Sequence, residues 1–194
     1  MRKKTNNKSK EMKKKKKTVL ALIIILLLSI IFISFYKFKK RTYYITGELQ
    51  ECFEIKTPFS NIKDGVYKLY EPSGVIIYES NYKNDELDGI SFQNYKNGML
   101  KWKAFFKKNK LIQVIEYNDI KGNKLDFGKL INGNGYLKLY RDNGEIEEEG
   151  PMKDGFRDGK WIYYTNPDIP ILNTYDYYLK GIDQNGFKPP TIHN

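Results

Sequence analysis

The longest pattern in the chain is an uncharged apolar run close to its N-terminus. Thr18–Tyr36 reads TVLALIIILLLSIIFISFY, which is 19 residues without a charge. A helix rises about 1.5 Å per residue, so the run reaches about 28 Å, close to the roughly 30 Å thickness of a bilayer's hydrocarbon core. Its internal hydroxyls, Ser29 and Ser34, can bond to carbonyls of the same helix. The pattern predicts a transmembrane helix that contacts the lipid bilayer along Thr18–Tyr36.

The basic residues that flank this run predict its orientation. Ten lysines and arginines precede it and four follow it, at Lys37, Lys39, Lys40 and Arg41. The more basic side of a membrane helix stays in the cytoplasm. We therefore expect a single pass through the cytoplasmic (inner) membrane of a bacterium, with a cytoplasmic N-terminus and an extracytoplasmic C-terminal domain.

An uncleaved signal anchor is favoured over three alternatives. A cleaved signal peptide has an apolar core of about 7–15 residues and a small-x-small exit; here the core is longer and its exit, 33–36, is bulky, although cleavage stays open. A lipoprotein needs a Cys directly after the core, and Cys52 comes sixteen residues after Tyr36. A buried core helix is rarely apolar on all sides with lysines at both ends.

From residue 43 onward the pattern changes to short alternating runs separated by glycines. In the run 65–70, Val66, Lys68 and Tyr70 fall on one face, which is the periodicity of a strand. Glu71-Pro-Ser-Gly74 is a turn signal, because Pro fixes φ and Gly permits φ > 0. The run 75–82 then returns as the partner strand, so one unit is a β-hairpin plus a connector.

Glycine spacing shows that this unit is repeated. Gly65, Gly89, Gly135 and Gly159 each follow a polar residue, at spacings of 24, 46 and 24. Because the middle gap is twice 23, we infer a degenerate third unit in which Ile112 replaces the glycine. A Tyr follows each position five or six residues later. A second Gly follows nine or ten residues later in every unit except the last, which has none. The positions assigned a structural role in the repeat are Gly65, Tyr70, Gly74, Gly89, Tyr95, Gly98, Gly135, Tyr140, Gly144, Gly159, Trp161 and Tyr164.

These repeats predict an all-β fold. A hairpin alone is unstable in water, and a period of 20–50 residues indicates stacked units, so we expect an elongated single-layer antiparallel sheet of repeated hairpins. Further hairpin turns are predicted at 84–85, 87–89, 96–98, 142–144 and 153–155. The predicted organisation is a basic N-terminus at 1–17, a transmembrane helix at 18–36, a basic linker at 37–42, hairpin repeats at 43–167, and a C-terminal cap and tail at 168–194.

Two of the units carry a family resemblance. Asp64-Gly65-x-Tyr-x-x-Tyr70-x-x-x-Gly74 and Asp158-Gly159-Lys160-Trp161-x-x-Tyr164 resemble the MORN-repeat variant of many bacterial proteins, and 81–84 and 152–155 match its linker. The resemblance covers roughly residues 43–165, and the unit at 110–127 departs from it most. It implies single-layer hairpin sheets that serve interaction or scaffolding, with no shared catalytic residues. Some relatives carry an antitoxin-type label.

Charge excludes a nucleic-acid partner for the repeat region. The net charge is +11, but residues 1–41 hold 14 basic residues and one acid, a balance of +13. Residues 42–194 therefore hold a balance of −2. Since the excess basicity lies beside the apolar run, the repeats have no basic field for a phosphate backbone.

The sequence offers no set of catalytic, cofactor-binding or metal-binding residues. Its only His is His193, beside the C-terminus, and its only Cys is Cys52, which we interpret as a strand residue rather than an intermolecular bridge. Two glycine-containing strings, 133–135 and 158–160, lack the strand–helix context of a phosphate loop. The run 145–149 places Glu145, Glu147 and Glu149 on one predicted strand face, which is more typical of a solvated surface than of a cation site.

These patterns predict a non-enzymatic, membrane-tethered repeat module that mediates protein interaction or scaffolding at the cell envelope. Its partner is an unknown protein, or alternatively an envelope polysaccharide, and the open ends of the sheet invite pairing or need caps. An antitoxin or immunity-like protein that neutralises a toxin at the membrane is the alternative, and it rests on the family label alone.

Overall fold

A computed structural model of the chain describes the backbone of residues 2–164, 174–180 and 182–183, and the side chains of these residues except 2–11, 33–35, 174–175 and 182–183. It divides into two compact units, Met1–Lys37 and Phe38–Asn194. The first unit is a single helix, α1, at Arg2–Phe35.

Helix α1 includes the predicted membrane segment apart from Tyr36, whose amide donates to the carbonyl of Phe32 (3.1 Å). Ser29 Oγ donates to the Leu26 carbonyl (2.7 Å), as expected of a hydroxyl inside an apolar helix. The side chain of Ser34 lies outside the described residues. Within the part of the chain that the structure describes, no helix has the length and apolarity needed to cross a membrane.

The second unit is built of antiparallel strands, which confirms the all-β prediction for this region. The described strands are β1 Phe38–Tyr43, β2 Leu49–Ile55, β3 Lys63–Tyr70, β4 Ile76–Lys83, β5 Glu86–Asn94, β6 Leu100–Lys107, β7 Lys110–Tyr117, β8 Gly128–Ile131, β9 Asn134–Tyr140, β10 Ile146–Lys153, β11 Phe156–Arg157, β12 Gly159–Tyr163, β13 Thr174–Leu179 and β14 Ile182–Asp183. They form two sheets, in the orders β1-β2-β3-β4-β5-β6-β7 and β14-β13-β12-β10-β9-β8, with β11 paired to β10. Within each sheet most neighbours in sequence are neighbours in space, as a chain of hairpins requires.

Two kinds of turn alternate along the chain. In one kind, two consecutive residues have φ > 0, at Asn84–Asp85, Lys108–Asn109, Asn132–Gly133 and Asp154–Gly155. In the other kind, a positive-φ glycine donates its amide to a carbonyl three residues earlier, as Gly74 does to Glu71 (2.8 Å). The same bond recurs at Gly98, Gly122 and Gly144. This alternation confirms the turns predicted at 84–85, 96–98, 142–144 and 153–155.

The other set of repeat glycines does not form turns. Gly65, Gly89 and Gly135 lie inside β3, β5 and β9, and Gly159 begins β12, so the turn predicted at 87–89 is wrong. At Gly89 an added Cβ would come within 2.9 Å of the Asn81 Cβ on the neighbouring strand. These positions therefore require glycine for two reasons: the neighbouring strand comes close, and φ lies between 88° and 140°, where other residues are strained.

Hydrogen bonds link equivalent positions of successive units. The Tyr95 hydroxyl donates to the Asn118 carbonyl (2.8 Å), and the Tyr117 hydroxyl donates to the Tyr140 carbonyl (3.3 Å). Both bonds span 23 residues, which is the period inferred from the glycines. The repeat tyrosines therefore tie one unit to the next as well as filling the interior.

The expectation of one continuous single-layer array is wrong, because the chain divides into two sheets after β7. The residues that should form the partner of β7 make only an isolated bridge between Asn118 and Lys124. Asp126 Oδ1 then accepts the amide of Gly128 (3.0 Å), and Gly128 has φ 82°. This side-chain-capped bend turns the chain away from β7, so the next strand, β8, pairs with β9 alone. The division falls in the unit that departs most from the repeat.

Two of the expected boundaries also differ. Residues 38–42, expected as a basic linker, form most of β1, which is the edge strand of the first sheet and pairs Phe38 with Ile55. Lysines on an edge strand oppose pairing with another chain. Part of the predicted cap at 168–194 lies outside the described residues, and its described part supplies β13 and β14.

Beyond Tyr67, small residues form the central row of one face of the first sheet. Register places Tyr67, Ser80, Ser91, Ala104 and Val114 side by side across β3 to β7. Both serines are completely buried, and larger rings lie in the rows on either side, where Tyr78 packs edge-on against Tyr67 (6.0 Å). Small side chains here leave room for those rings.

The serine hydroxyls give a stability prediction. Neither Ser80 Oγ nor Ser91 Oγ meets the geometry of a hydrogen bond, although both interact with the Tyr78 hydroxyl and lower its pKa, which burial raises overall. Removing a buried hydroxyl that makes no well-formed hydrogen bond should leave the free energy of unfolding unchanged or raise it by about 1 kcal/mol in Ser80→Ala and Ser91→Ala. Urea denaturation measures this. Ser60→Ala is the control, because Ser60 Oγ accepts the Ile62 amide (2.9 Å), and its loss should cost about 0.5–1 kcal/mol. A loss above about 1 kcal/mol at Ser80 would contradict the prediction.

Candidate binding groove

A groove of about 380 Å³ lies where the two sheets meet. Strands β5 to β7 line it from the first sheet, and β9 to β12 line it from the second. Its apolar base belongs to the main core, in which Val114 of the first sheet packs with Leu137, Met152 and Trp161 of the second. We call this the junction groove; it exists because the bend at Gly128 interrupts the array.

Aromatic rings in fixed orientations line the first-sheet side of the junction groove. Trp102 Nε1 donates to Gln93 Oε1 (2.7 Å), and the Trp102 ring packs edge-on against Tyr78 (6.1 Å). Phe106 lies 6.5 Å from the same indole, measured between ring centroids. Because Trp102 is held by a hydrogen bond and two rings, this side of the groove is preorganised.

An ion pair lies beneath the second-sheet side. Arg157 Nη1 and Nη2 donate to the two carboxylate oxygens of Glu148, each at 2.6 Å. Arg157 Nη1 also donates to the Tyr163 hydroxyl (3.0 Å), which lies 2.6 Å from the Tyr178 hydroxyl. The guanidinium stacks over the Trp161 ring, 4.0 Å from its centroid. Both carboxylate oxygens, both Nη groups and both hydroxyls of this cluster thus have partners, as a buried ion pair requires.

Burial and neighbouring groups fix the protonation of Arg157 and Tyr163 in this cluster. Burial alone would lower the pKa of Arg157, but the hydrogen bonds and charge of Glu148 raise it above its ordinary value. Burial, together with the bond to Tyr178, raises the pKa of Tyr163. Arg157 therefore stays protonated and Tyr163 stays neutral at physiological pH.

A bulge in β10 brings an unpaired carboxylate to the mouth of the groove. Register shifts between Ile146 and Glu148, so Glu147 has no partner on β9, and its side chain is exposed. The expected alternation of Glu145, Glu147 and Glu149 on one face is therefore wrong, since Glu145 precedes the strand and Glu149 accepts a bond from the Tyr164 hydroxyl. Burial, and to a smaller extent the charge of Glu147, raise the pKa of Tyr117.

Lys101 joins the two sheets at the rim. Its Nζ lies 2.7 Å from Asp142 Oδ1, in the turn before β10, and 5.5 Å from the centroid of the Tyr95 ring. The lysine side chain is only 17% exposed, whereas that of Asp142 is 68% exposed. The junction groove therefore combines rings, an amide, an ammonium group and a free carboxylate.

A second aromatic cluster lies on the first sheet, away from the junction. Lys63 Nζ lies 4.5 Å from the centroid of Tyr67 and 5.0 Å from that of Tyr82. The Tyr67 hydroxyl donates to Glu51 Oε1 (3.1 Å), and burial raises the pKa of Tyr82 to about 12. Because Lys63 itself occupies the space between these rings, the cluster is a closed packing arrangement rather than a cage for a ligand.

The chemistry of the junction groove suits binding. Its charged groups are mostly held in ion pairs, and no nucleophile lies beside a base within it. Among the residues that the structure describes, no group of three or more His, Cys, Asp or Glu side chains could hold a metal ion. His193 lies outside the described residues. What the groove offers a ligand is rigid rings and a few polar groups, which is the composition of a recognition site.

Only some of the repeat residues predicted from sequence reach the groove. Tyr140 and Trp161 line it, whereas Tyr70, Tyr95 and the glycines do not; Tyr164 lies just after β12. Sequence reasoning missed Gln93, Trp102, Phe106 and Arg157. One signal was present: an aromatic residue follows the turn glycine by four positions at Tyr78 and Trp102.

No protein-family model matches the chain, and no curated protein or solved structure is detectably similar to it.

Proposed function

We propose that this chain is a non-enzymatic, membrane-tethered repeat module that binds a protein partner at the bacterial cell envelope. The observation that carries the proposal is the junction groove, with its ordered rings and its free carboxylate, Glu147. Tyr, Trp and Arg are enriched where protein interfaces concentrate their binding energy, and all three line this groove. The hairpin units would be of the MORN-variant kind, as 64–74 and 158–164 suggest.

The tether is supported by the sequence of the N-terminal unit. Thr18–Tyr36 carries no charge, and the basic excess of the whole chain is concentrated on its flanks. The chain has few His and Cys residues, and no nucleophile lies beside a base in the groove. Both facts support a binding role over an enzymatic one. The second unit would then face a partner outside the cytoplasmic membrane.

Photo-cross-linking in intact membranes tests the groove. Benzoylphenylalanine at Phe106, which lines the groove, should give a discrete adduct with one protein. Phe105, its neighbour on the other face of β6, is the matched control and should give none. Glu147→Lys should lower the Phe106 adduct roughly tenfold, because charge at an interface rim governs association.

Two outcomes would contradict the proposal. Equal adducts at Phe105 and Phe106 would mean that the groove is not the binding surface. In the same cells, protease added from outside should degrade the second unit without lysis; protection until lysis would overturn the envelope location.

A further inference from the structure

We propose that one end of the first sheet is a membrane-contact surface, which inserts Phe59 into the interface of the bilayer and sets lysines against anionic headgroups. We call it the turn end, and it consists of the loop 56–62 and the turns Asn84–Asp85 and Lys108–Asn109. This inference rests on the proposed tether and assigns the second unit a lipid partner in addition to its protein partner. It is independent of the junction groove.

Strand register places these segments at one end of the sheet. Phe38, the first residue of β1, pairs with Ile55, and Ile55 pairs with Lys63 across the loop 56–62. The Asp85 amide donates to the Lys63 carbonyl (2.9 Å), and the Asn109 amide donates to the Leu87 carbonyl (2.9 Å). The loop and both turns are thus hydrogen-bonded into one continuous surface that contains the start of β1.

Chain length ties this surface to the membrane. Phe38 follows Tyr36, the last residue of the predicted membrane segment, by two positions, and two residues span at most about 7 Å. Tyr43, at the opposite end of the sheet, lies five residues further along β1 than Phe38. It is therefore about 17 Å further from the membrane segment along the strand. If the segment crosses the bilayer, the turn end is therefore the end within reach of the headgroups.

Phe59 is presented outward by an ordered loop. Its side chain is 98% exposed. The loop is closed by the Lys56 amide bonding to the Ile62 carbonyl (3.1 Å) and the Ser60 amide bonding to the Thr57 carbonyl (3.0 Å), with Pro58 between them. Aromatic rings favour the boundary between headgroups and acyl chains, and Phe59 would give up little packing on entering it, because its side chain is almost fully exposed.

Charge at the turn end fits an anionic surface. Lysines at this end of the first sheet outnumber carboxylates, with eight at Lys39, Lys40, Lys56, Lys63, Lys83, Lys107, Lys108 and Lys110 against five at Glu54, Asp64, Asp85, Glu86 and Asp88. Lys108 is exposed at the apex of its turn, with φ 49°. Lysines this close to an anionic leaflet are attracted to it, and their alkyl stems can lie along the interface.

A site-specific probe tests the contact in the full chain. In a Cys52→Ser background, Phe59→Cys and Ile45→Cys each receive an environment-sensitive fluorophore. Ile45 is the matched control, because it is equally exposed but lies at the opposite end of the sheet. In vesicles with about 30% phosphatidylglycerol, quenching by spin-labelled lipid should be several-fold stronger at position 59 than at position 45. Equal quenching at the two positions would overturn the proposal.

Charge reversal gives a second readout. Lys83→Glu/Lys108→Glu should reduce the quenching at position 59 at least twofold in anionic vesicles, whereas Lys96→Glu/Lys121→Glu, at the opposite end, should leave it unchanged. An equal effect of both pairs would contradict the lysine contact. Flotation with the vesicles separates the two proposals: a chain that fails to float refutes the tether, whereas one that floats with position 59 unquenched refutes only the membrane-contact surface.

Discussion

Arg157→Met should lower the free energy of unfolding by about 3 kcal/mol, because it leaves the carboxylate of Glu148 buried without its partner. Glu148 is 8% exposed and accepts both of its strong bonds from Arg157. We expect the lower end of the usual range for a broken buried pair, since 19% of the Arg157 side chain reaches solvent. Urea denaturation followed by circular dichroism measures the change.

The reciprocal and double variants separate the contribution of the ion pair from that of packing around it. Glu148→Gln should cost somewhat less than Arg157→Met, because the amide still accepts one bond from the guanidinium. The double variant Arg157→Met/Glu148→Leu should recover most of the loss, since no charge is left unpaired. If the double variant is as unstable as the two single losses added together, the pair contributes by packing on Trp161 and not as an ion pair.

Trp161→Ala should cost about 3–5 kcal/mol, the largest loss expected of a single side chain here. Its ring is completely buried, and Nε1 donates to the Pro151 carbonyl (2.9 Å). Truncation would also remove the surface on which Arg157 stacks and the edge-on contact with Tyr178 (6.3 Å). The expected result is a much lower urea midpoint with an unchanged slope.

Gly150 provides a matched test of the same contact. A Cβ added at Gly150 would lie 2.5 Å from Cγ of Trp161, so Gly150→Ala should cost about 1–3 kcal/mol by overpacking. In the double variant Gly150→Ala/Trp161→Ala this clash is gone, so its cost should be clearly less than the sum of the two single costs. Additive costs would show that Gly150 matters through backbone conformation and not through the indole.

The repeat could be read from sequence because its signals are local. Turns such as Asn84–Asp85 and the one that ends at Gly74 depend on residues whose preferred φ angles are known from their type. The period inferred from the glycines reappears in the bonds from Tyr95 to Asn118 and from Tyr117 to Tyr140. The turn predicted at 87–89 was wrong because the role of Gly89 was misassigned. Glycine is favoured both in turns and where strands approach closely, so its presence alone does not distinguish the two.

The candidate groove could be predicted only in part. Tyr140 and Trp161 belong to the repeat pattern, and both line the groove. Gln93 and Arg157 carry no local signal, because each matters only through a partner, Trp102 and Glu148, that lies nine residues away on a neighbouring strand. The bulge that frees Glu147 depends on how β10 registers against β9, and a slip of one residue changes which face a side chain occupies.

The sequence by itself determined the apolar N-terminal segment, the concentration of basic charge beside it, and the hairpin units with their turns, because each depends on neighbours within a few positions. Tertiary structure decided that the array divides after β7. There the carboxylate of Asp126 caps the bend at Gly128 and the Tyr140 hydroxyl holds the Asp126 carbonyl (2.5 Å). It also decided which strand faces meet to form the junction groove. These outcomes depend on contacts between distant residues, which short-range periodicity does not encode.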